Sequence, residues 1–264
     1  MFQFRLGGPD EFKVKQIGEP AVRVAIGKID TTLEEYFSDY PPLFRFVDLS
    51  ELDANLHIVP QSPYELELRD DQIEVWRWDC VDITKESIWK GHEKREDSIQ
   101  GYVAERYIEA DFDVVFDDDA SGEAADLVCI KQRDDHIQLV LVHCKFSGGD
   151  ASGERVRDVV EVSSQAVRSA RWTYKFVPLC QHIKAREGSL ATEARPSRFL
   201  KGSLPDLNRL IKFHRFNPMR AEIVVVQPGL SKARRTKDQS IVLAAALTYL
   251  KETVGIDLGI ISGE

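Results

Sequence analysis

The chain of 264 residues has few cysteines and no paired cysteine motif. None of its four cysteines stands in the C-x-x-C spacing that zinc ribbons and thiol redox centres use. The sequence does not open with a charged leader and an apolar run, which is the pattern of a signal peptide. No apolar run approaches the length needed to cross a bilayer. These absences predict a cytoplasmic protein with reduced thiols, no zinc ribbon and no membrane anchor.

The sequence also lacks the G-x-x-x-x-G-K-[ST] motif, whose glycine-rich loop and lysine hold the phosphates of ATP or GTP. We therefore do not expect this chain to hydrolyse ATP by a P-loop mechanism on its own. Any ATP-driven step would have to be supplied by a partner.

The charge of the chain is negative overall but unevenly distributed. A formal net charge of -9 and a pI near 5.3 argue against a general nucleic-acid binder. Residues 151–240, however, contain 18 Lys and Arg against 8 Asp and Glu, whereas the rest contains 17 against 36. Because local potential governs phosphate contact, this pattern predicts a protein that grips a nucleic-acid backbone on one surface.

The distribution of turn residues predicts two domains with a boundary near residue 92. Residues 1–92 contain short strand-like segments separated by turns with Gly or Pro, and they predict a β-rich domain. Residues 93–264 mix helical and strand-like patterns, so the fold class is predicted as α/β, or α+β overall. Within them, residues 173–204 have weak periodicity and are predicted to form a loop or an insertion.

Two apolar segments in the middle of the chain predict a β-hairpin. Residues 137–142 are too few for a typical helix and rich in branched side chains, so they predict a buried strand. Residues 125–130 form a second predicted strand, joined to the first by a polar turn. His143 and Lys145 share one face because side chains alternate along a strand. The hairpin would bring Asp126 near both.

These three residue types together suit phosphodiester hydrolysis, in which negative charge builds on the phosphate and water must become a nucleophile. A divalent ion serves both needs. Asp126 would hold the ion, His143 could be a second ligand, and Lys145 would orient the water or stabilise the charge on phosphorus. On spacing alone, the alternative is three polar residues at the rim of a sheet.

The order of elements around the hairpin is also informative. A predicted helix at 97–109 and a strand at 113–116 precede the AADLV strand of Asp126, the strand ending VHCK and a helix at 153–172. This region resembles the PD-(D/E)XK nuclease superfamily, and most closely its Mrr-like restriction endonuclease branch. The resemblance implies a restriction-endonuclease-like αβββαβ core with a mixed sheet, within a nuclease-like domain at residues 93–264.

Agreement with the family pattern is incomplete. Asp126 and Lys145 match it, since the family has an Asp-bearing strand followed by a strand that ends in Glu-x-Lys or Gln-x-Lys. His143 stands where Glu or Gln is usual. Gln100 falls where the first helix of the family carries an acidic residue. Both positions belong to the candidate catalytic set that the resemblance implies.

The resemblance implies Mg²⁺ or Mn²⁺ as the cofactor, with Asp126 and His143 as metal ligands. A histidine is softer than a carboxylate and carries no charge, so such a site should favour manganese over magnesium. Glu161 lies on the following helix, where some members of the superfamily carry a relocated carboxylate. The acidic loop at 117–123 is a further source of carboxylates, ranked below Glu161 because acidic loops are usually solvated turns.

The helix at 153–172 is predicted to bury one apolar stripe and to present a separate polar face. Glu161, Gln165 and Arg168 are spaced by four and three residues, so they share that face. In the family a glutamine on this helix lies beside the active site, and Gln165 matches it. Phosphate contacts are then predicted, with a solvated helix face as the alternative, for Ser147, Arg155, Arg157, Arg168 and Arg171.

Several motifs show a second resemblance that covers nearly the whole chain. They are WRWDCVDITKESI, VHCKFSGGDASGERVRDVVEVSSQAVRSARW and VVVQPGLS. They are similar to the C-terminal extension of large superfamily 2 helicases in bacterial restriction and phage-defence loci. This resemblance implies DNA as the substrate and a helicase or ATPase partner, in the same polypeptide or in a separate one.

Three functions compete on these observations. The favoured one is a metal-dependent DNA endonuclease of a bacterial defence or restriction system. The second is a catalytically inactive nuclease-like module that binds nucleic acid, because Gln100 and His143 replace expected carboxylates. The third, a thiol enzyme using Cys144 with His143, is disfavoured because neighbouring strand residues face opposite ways. A double-strand cut often needs two active sites, so a homo-oligomer or a helicase-bound assembly is expected.

Overall fold

A computed structural model describes residues 2–6, 12–46, 50–53, 56–59, 68–149, 152–190 and 196–264. The chain divides into two compact units, residues 1–65 and 66–264. The sequence predicts a boundary near residue 92 instead. Residues 73–75 join the second unit because they hydrogen-bond to a C-terminal strand, with Ile73 opposite Ile260. Among the described residues, no helix is both long and apolar enough to cross a membrane.

Short antiparallel strands make up most of the described part of the first unit. The elements are β1 (Phe2–Leu6), β2 (Phe12–Gln16), β3 (Arg23–Ile26), β4 (Ile29–Thr32), α1 (Leu33–Asp39), β5 (Leu43–Arg45), β6 (Glu51–Asp53) and β7 (Leu56–Ile58). Strand β1 pairs with β2 and β3 with β4, and β5, β6 and β7 form a three-stranded sheet. Helix α1 begins with a capping box, in which Thr32 and Glu35 each satisfy a backbone N–H of the other.

The second unit contains the remaining helices and strands. They are β8 (Ile73–Val75), β9 (Trp89–Lys90), β10 (Glu93–Lys94), α2 (Ile99–Glu109), β11 (Val114–Asp117), β12 (Leu127–Gln132), β13 (Ile137–Cys144), α3 (Val156–Ser169), α4 (Phe176–Leu190), β14 (Phe199–Lys201), α5 (Leu204–His214), β15 (Met219–Ser231), α6 (Lys237–Tyr249) and β16 (Leu258–Gly263).

A seven-stranded mixed sheet organises this unit, in the order β14-β11-β12-β13-β15-β16-β8. The strands β14, β11, β12 and β13 pair antiparallel, whereas β13, β15, β16 and β8 pair parallel. The predicted mixed sheet and α/β class are therefore confirmed. The chain order α2-β11-β12-β13-α3 is followed, after α4, β14 and α5, by β15, which lies parallel to β13.

Both faces of the central strands are buried, which explains why β13 is apolar at nearly every position. Leu139 and Leu141 face a core formed with α3, α4, α5 and α6. Val140 and Val142 face the opposite way, into a core formed with α2. Burying the apolar surface of these strands on both sides is worth about 25 cal/mol per Å².

Of the two alternatives for residues 173–204, a loop or an insertion, the loop is wrong. Fifteen of these residues form α4, and residues 199–201 form the edge strand β14. The buried residues Phe176, Leu179, Cys180 and Ile183 have helical spacing. Polar residues and Pro178 obscured this stripe, but a proline is tolerated within the first turn of a helix.

Candidate functional site

Several of the predicted catalytic residues come together at one edge of the sheet, where β13 ends. Strand β12 is antiparallel to both β11 and β13, so the loop between β11 and β12 lies beside the carboxyl end of β13. Leu127 pairs with Val142, which places Asp126 next to the last residues of β13. The backbone N–H of Cys144 donates a 2.6 Å hydrogen bond to Oδ2 of Asp126. The predicted hairpin is therefore formed.

Three carboxylates converge at this edge. One oxygen each from Asp119, Glu123 and Asp126 lies within 4.8 Å of the others. Asp126 is only 2 % exposed, and the other two are half-buried. Asp119 and Glu123 belong to the acidic loop, which the sequence favours less than Glu161 as a source of carboxylates. The available signal was a group of acids three to nine residues before an aspartate that leads a strand, because such a loop can fold back over the strand.

The carboxylates of this triad are electrostatically unfavourable to one another. Burial raises the pKa of Asp126 well above its ordinary value, the bond from Cys144 opposes this, and the charges of Asp119 and Glu123 raise it further. Burial also raises the pKa of Glu123. A cation at this position would offset both the desolvation and the repulsion.

Lys145 lies at the same edge, between two further carboxylates. Its Nζ is 2.8 Å from Oε1 of Glu161 and 3.3 Å from Oε2 of Glu86. Burial lowers the pKa of Lys145, but the hydrogen bond to Glu161 and the charge of Glu86 outweigh it, so the pKa lies above its ordinary value. The amine is therefore a charged group held in a fixed place.

Glu86 is the functional candidate that sequence reasoning missed. Its Oε2 accepts a 2.9 Å hydrogen bond from the N–H of Phe146. Burial raises the pKa of Glu86, and the charge of Asp119 adds to this, while Phe146 and Lys145 lower it. The residue precedes α2 in an irregular segment, so no strand or helix periodicity marked it.

Gln100 is brought into the site as a partner of a carboxylate. Its side chain is fully buried in the first turn of α2. Nε2 donates to Oδ2 of Asp119 at 3.1 Å, and Oε1 accepts from the N–H of Ile88 at 3.3 Å. Where the family pattern expects an acid, the amide orients one member of the triad.

His143 lies apart from the carboxylate group. Its side chain is 2 % exposed, and neither ring nitrogen has a hydrogen-bond partner within the described part of the chain. By strand alternation it points to the same side as Leu141, toward α3. Burial and the nearby charge of Arg168 lower its pKa to about 3, so the ring is neutral at physiological pH.

Replacing His143 by Leu should therefore reduce the sensitivity of the fold to acid. The unfolded chain takes up a proton near pH 6.5 but the folded His143 does not, so this residue costs stability as the pH falls below that value. As the pH falls from 7 to 5, we expect the unfolding free energy of the variant to rise by about 2 kcal/mol relative to that of wild type. Urea unfolding at both pH values measures this gain.

The exposed His92 is the matched control, and we expect no comparable gain from His92→Leu. An unchanged pH dependence in His143→Leu would mean that the imidazole has a partner that keeps its pKa ordinary.

Cys144 faces away from His143 and into the core of α2. It is fully buried, and burial raises the pKa of its thiol well above the ordinary value. A thiol in this environment is a poor nucleophile. The geometry therefore argues against the thiol-enzyme reading, as strand alternation had indicated.

Helix α3 carries the remaining predicted residues. Gln165 is half-buried with an unpartnered Oε1, and Arg157 and Arg168 are exposed. Arg155 is exposed too, although its Nε lies 3.4 Å from Asp158. Its guanidinium covers Gly148, where a side-chain Cβ would lie 1.3 Å from Nη1, so a larger residue at 148 would displace the arginine.

Two predicted phosphate contacts have a different setting. Ser147 is buried, and its N–H donates to the carbonyl of Ile83 at 2.7 Å. The guanidinium of Arg171 is exposed and lies 5.4 Å from the ring centre of Trp172. Arg171 is therefore available to a phosphate, whereas Ser147 packs the loop.

The concentration of basic residues after residue 150 is partly structural. Many of these side chains bind acidic residues from earlier in the chain, which neutralises both partners. Examples are Arg186 with Asp118, Lys201 with Asp111, Arg209 with Asp113 and Arg235 with Asp70. The charge that remains for a nucleic acid is therefore smaller than the sequence suggested, and it includes the exposed Arg157 and Arg168 of α3.

Comparison with known proteins adds no relative. No family model, curated protein or solved structure matches this chain.

Proposed function

We propose that this chain is a metal-dependent DNA endonuclease of the PD-(D/E)XK type. The observation that carries the proposal is the meeting of Asp126 and Lys145 with Asp119 and Glu123 at one sheet edge. The order α2-β11-β12-β13-α3 with β15 parallel to β13 supports a restriction-endonuclease-like αβββαβ core. The role within a bacterial defence or restriction system is carried over from the sequence resemblance alone.

The triad is a suitable binding site for Mg²⁺ or Mn²⁺, because both ions prefer oxygen ligands. Asp119, Glu123 and Asp126 would hold the ion. When bound, a divalent ion polarises the phosphate and lowers the pKa of bound water. This ligand set differs from the predicted pair of Asp126 and His143, whose imidazole lies outside the carboxylate group.

Other residues of the chain would stabilise the charge on the phosphate and position the catalytic groups. Lys145 would stabilise the charge that develops on the phosphate, since its amine is charged and held in place one residue after Cys144, whose N–H binds Asp126. Glu86 and Glu161 hold that amine by its hydrogen bonds. Gln100 fixes the rotamer of Asp119, and Gln165 offers an unpartnered amide oxygen on the same helix as Glu161.

A cleavage assay combined with metal titration tests the proposal. The full chain is incubated with plasmid, single-stranded DNA or RNA in Mg²⁺, Mn²⁺ or EDTA, and Mn²⁺ binding is measured by calorimetry. We expect one Mn²⁺ site and DNA cleavage that EDTA abolishes. Absence of Mn²⁺ binding, or cleavage that persists in EDTA, would overturn the assignment.

The metal preference should tell the two ligand sets apart. If the carboxylate triad alone binds the ion, Mg²⁺ and Mn²⁺ should both support cleavage, and His143→Leu should leave their rate ratio within about twofold. If His143 binds the ion, Mn²⁺ should be the better cofactor, and His143→Glu should narrow the difference. Initial cleavage rates at matched ion concentrations decide between these outcomes.

Helix α3 is the proposed contact with the DNA backbone. Replacing Arg155, Arg157 and Arg168 by Ala should weaken DNA binding and reduce its salt dependence. Each lost phosphate contact should lower the slope of log affinity against log salt by about 0.9. Fluorescence anisotropy across a series of salt concentrations measures this slope.

The matched control removes three exposed arginines at the other end of β13, where β12 turns into β13 and β15 begins. Replacement of Arg133, Arg215 and Arg220 by Ala should leave the slope nearly unchanged, because these residues lie far along the strands from Lys145. An equal fall in both triple variants would place the DNA on a different surface.

The alternative function is a nuclease-like module that binds nucleic acid without cutting it. Two ion pairs already engage Lys145, and this observation favours the alternative, because a catalytic amine must also reach the substrate. DNA binding without metal-dependent cleavage would decide for it. A helicase partner and a homo-oligomer are part of the proposal only as sources of DNA unwinding and of a second active site.

A further inference from the structure

We propose that Arg186 and His182 of α4, together with Arg198, are positioning residues for the metal-binding carboxylates. The inference rests on the proposed function and goes beyond it, because these residues lie in a region that carries no family motif. None of the three belongs to the carboxylate group itself. Each instead binds the loop of residues 117–124, which carries Asp119 and Glu123.

Asp118 is the anchor of this loop. Its side chain has no solvent exposure, and both carboxylate oxygens are used. Oδ1 accepts from Nε of Arg186 at 2.8 Å. Oδ2 accepts from the N–H of Ala124 at 2.7 Å and lies 2.8 Å from Nε2 of His182. Asp118 therefore connects helix α4 to Ala124, at the far end of its own loop.

The guanidinium of Arg186 reaches two further points of the loop. Nη1 donates to the carbonyl of Ser121 at 3.0 Å, and Nη2 donates to the carbonyl of Asp118 at 2.5 Å. A planar guanidinium can bind three acceptors at fixed angles, which a lysine ammonium cannot reproduce. The middle of the loop is thereby fixed to α4.

Arg198 closes the loop from the strand side. Its Nη1 donates to the carbonyls of Asp117 and Asp119 at 3.0 and 3.2 Å. The N–H of Asp117 donates to the carbonyl of Arg198 at 2.9 Å. The backbone N–H of Arg198 donates to Oε2 of Glu187, which also belongs to α4.

The loop needs such clamps because it is rich in like charges. Asp117, Asp118 and Asp119 are consecutive, and Glu123 follows four residues after Asp119. Without cationic partners on the α4 side, repulsion would favour an open loop with its carboxylates in water. Turning Asp118 toward α4 leaves Asp119 and Glu123 to face Asp126. Residues of this supporting kind are typically worth about 10-fold to 100-fold in metal affinity.

Arg186→Lys in the full chain is the test, because it keeps the positive charge and removes the planar guanidinium that binds several acceptors. The control is Arg209→Lys, whose arginine bridges Gln132 and Asp113 at 2.8 and 2.7 Å at the opposite edge of the same strands. For both variants, calorimetry measures Mn²⁺ affinity, and thermal melting without metal measures stability. Amide hydrogen exchange of residues 118–124, also without metal, measures how firmly the loop is held.

We expect Arg186→Lys to weaken Mn²⁺ binding about 10-fold or more and to accelerate exchange in the loop. Arg209→Lys should change the Mn²⁺ affinity less than twofold, even at a similar loss of thermal stability. An unchanged Mn²⁺ affinity in Arg186→Lys, or an equal loss in both variants, would overturn the positioning role.

The two proposals fail in different ways. If the wild-type chain binds no Mn²⁺, the proposed metal site is wrong. The exchange measurement alone then decides whether Arg186 holds the loop of residues 117–124 in place. Faster exchange of residues 118–124 in Arg186→Lys than in Arg209→Lys then supports it. Equal exchange in the two variants overturns it.

Discussion

Replacement of Lys145 by Ala is expected to lower the rate of DNA cleavage by roughly 100-fold to 1000-fold, which is typical for removing one donor that acts in the transition state. DNA affinity should change little, because the amine is only slightly exposed and binds Glu161 and Glu86 rather than facing a broad surface. Single-turnover cleavage rates and anisotropy measurements on the same substrate separate the two effects.

Lys131→Ala provides the matched control for this change. Lys131 lies at the other end of β12, where its Nζ donates to the carbonyl of Ala110 at 2.7 Å. Its loss should leave the cleavage rate within about twofold. Because removal of Lys145 also leaves Glu86 and Glu161 without their cation, circular dichroism must show that the variant folds. Wild-type turnover by a folded Lys145→Ala protein would contradict the proposed site.

Replacement of Asp126 by Asn is expected to abolish cleavage and to stabilise the metal-free protein. The wild-type carboxylate is buried beside Asp119 and Glu123, so its charged form costs stability, as the raised pKa shows. Asparagine can still accept the hydrogen bond from Cys144 but carries no charge. The gain should be about 1.4 kcal/mol for each unit by which the folded state raises the pKa.

The sign of this effect follows from linkage. A carboxyl group whose pKa is raised by folding favours the folded state at low pH and opposes it as the pH rises through the unfolded value. The gain in Asp126→Asn should therefore be present at pH 7 and shrink toward pH 4. Urea unfolding at several pH values, with and without Mn²⁺, measures both the gain and the lost stabilisation by metal.

Asp113→Asn is the control, since Asp113 accepts hydrogen bonds from Arg209 and from the N–H of Gln132 at the opposite edge. Its replacement should lower stability and leave the effect of Mn²⁺ intact. A destabilised Asp126→Asn protein that still gains stability from Mn²⁺ would show that Asp126 is a structural residue.

Part of this site follows from the sequence because it depends on local rules. Alternation along a strand places Lys145 on one face and Cys144 on the other. A short polar turn between two apolar segments forms the hairpin that brings Asp126 to the end of β13. The apolar run of β13 indicated a strand buried on both faces, which the sheet confirms. These features need only residues close together in the chain.

Only the tertiary structure selected the carboxylates that surround Lys145 and Asp126. Glu86 meets the backbone of Phe146 from 60 residues away, and Arg186 meets Asp118 from 68 residues away. Such contacts depend on how α4 and the segment before α2 pack on the sheet, and local periodicity does not record that packing. Asp126, Lys145 and their hairpin were thus determined by the sequence alone. Packing grouped Asp119 and Glu123 with Asp126 and left His143 out of that group, because the acidic loop folds over the strand while the imidazole is buried without a hydrogen-bond partner.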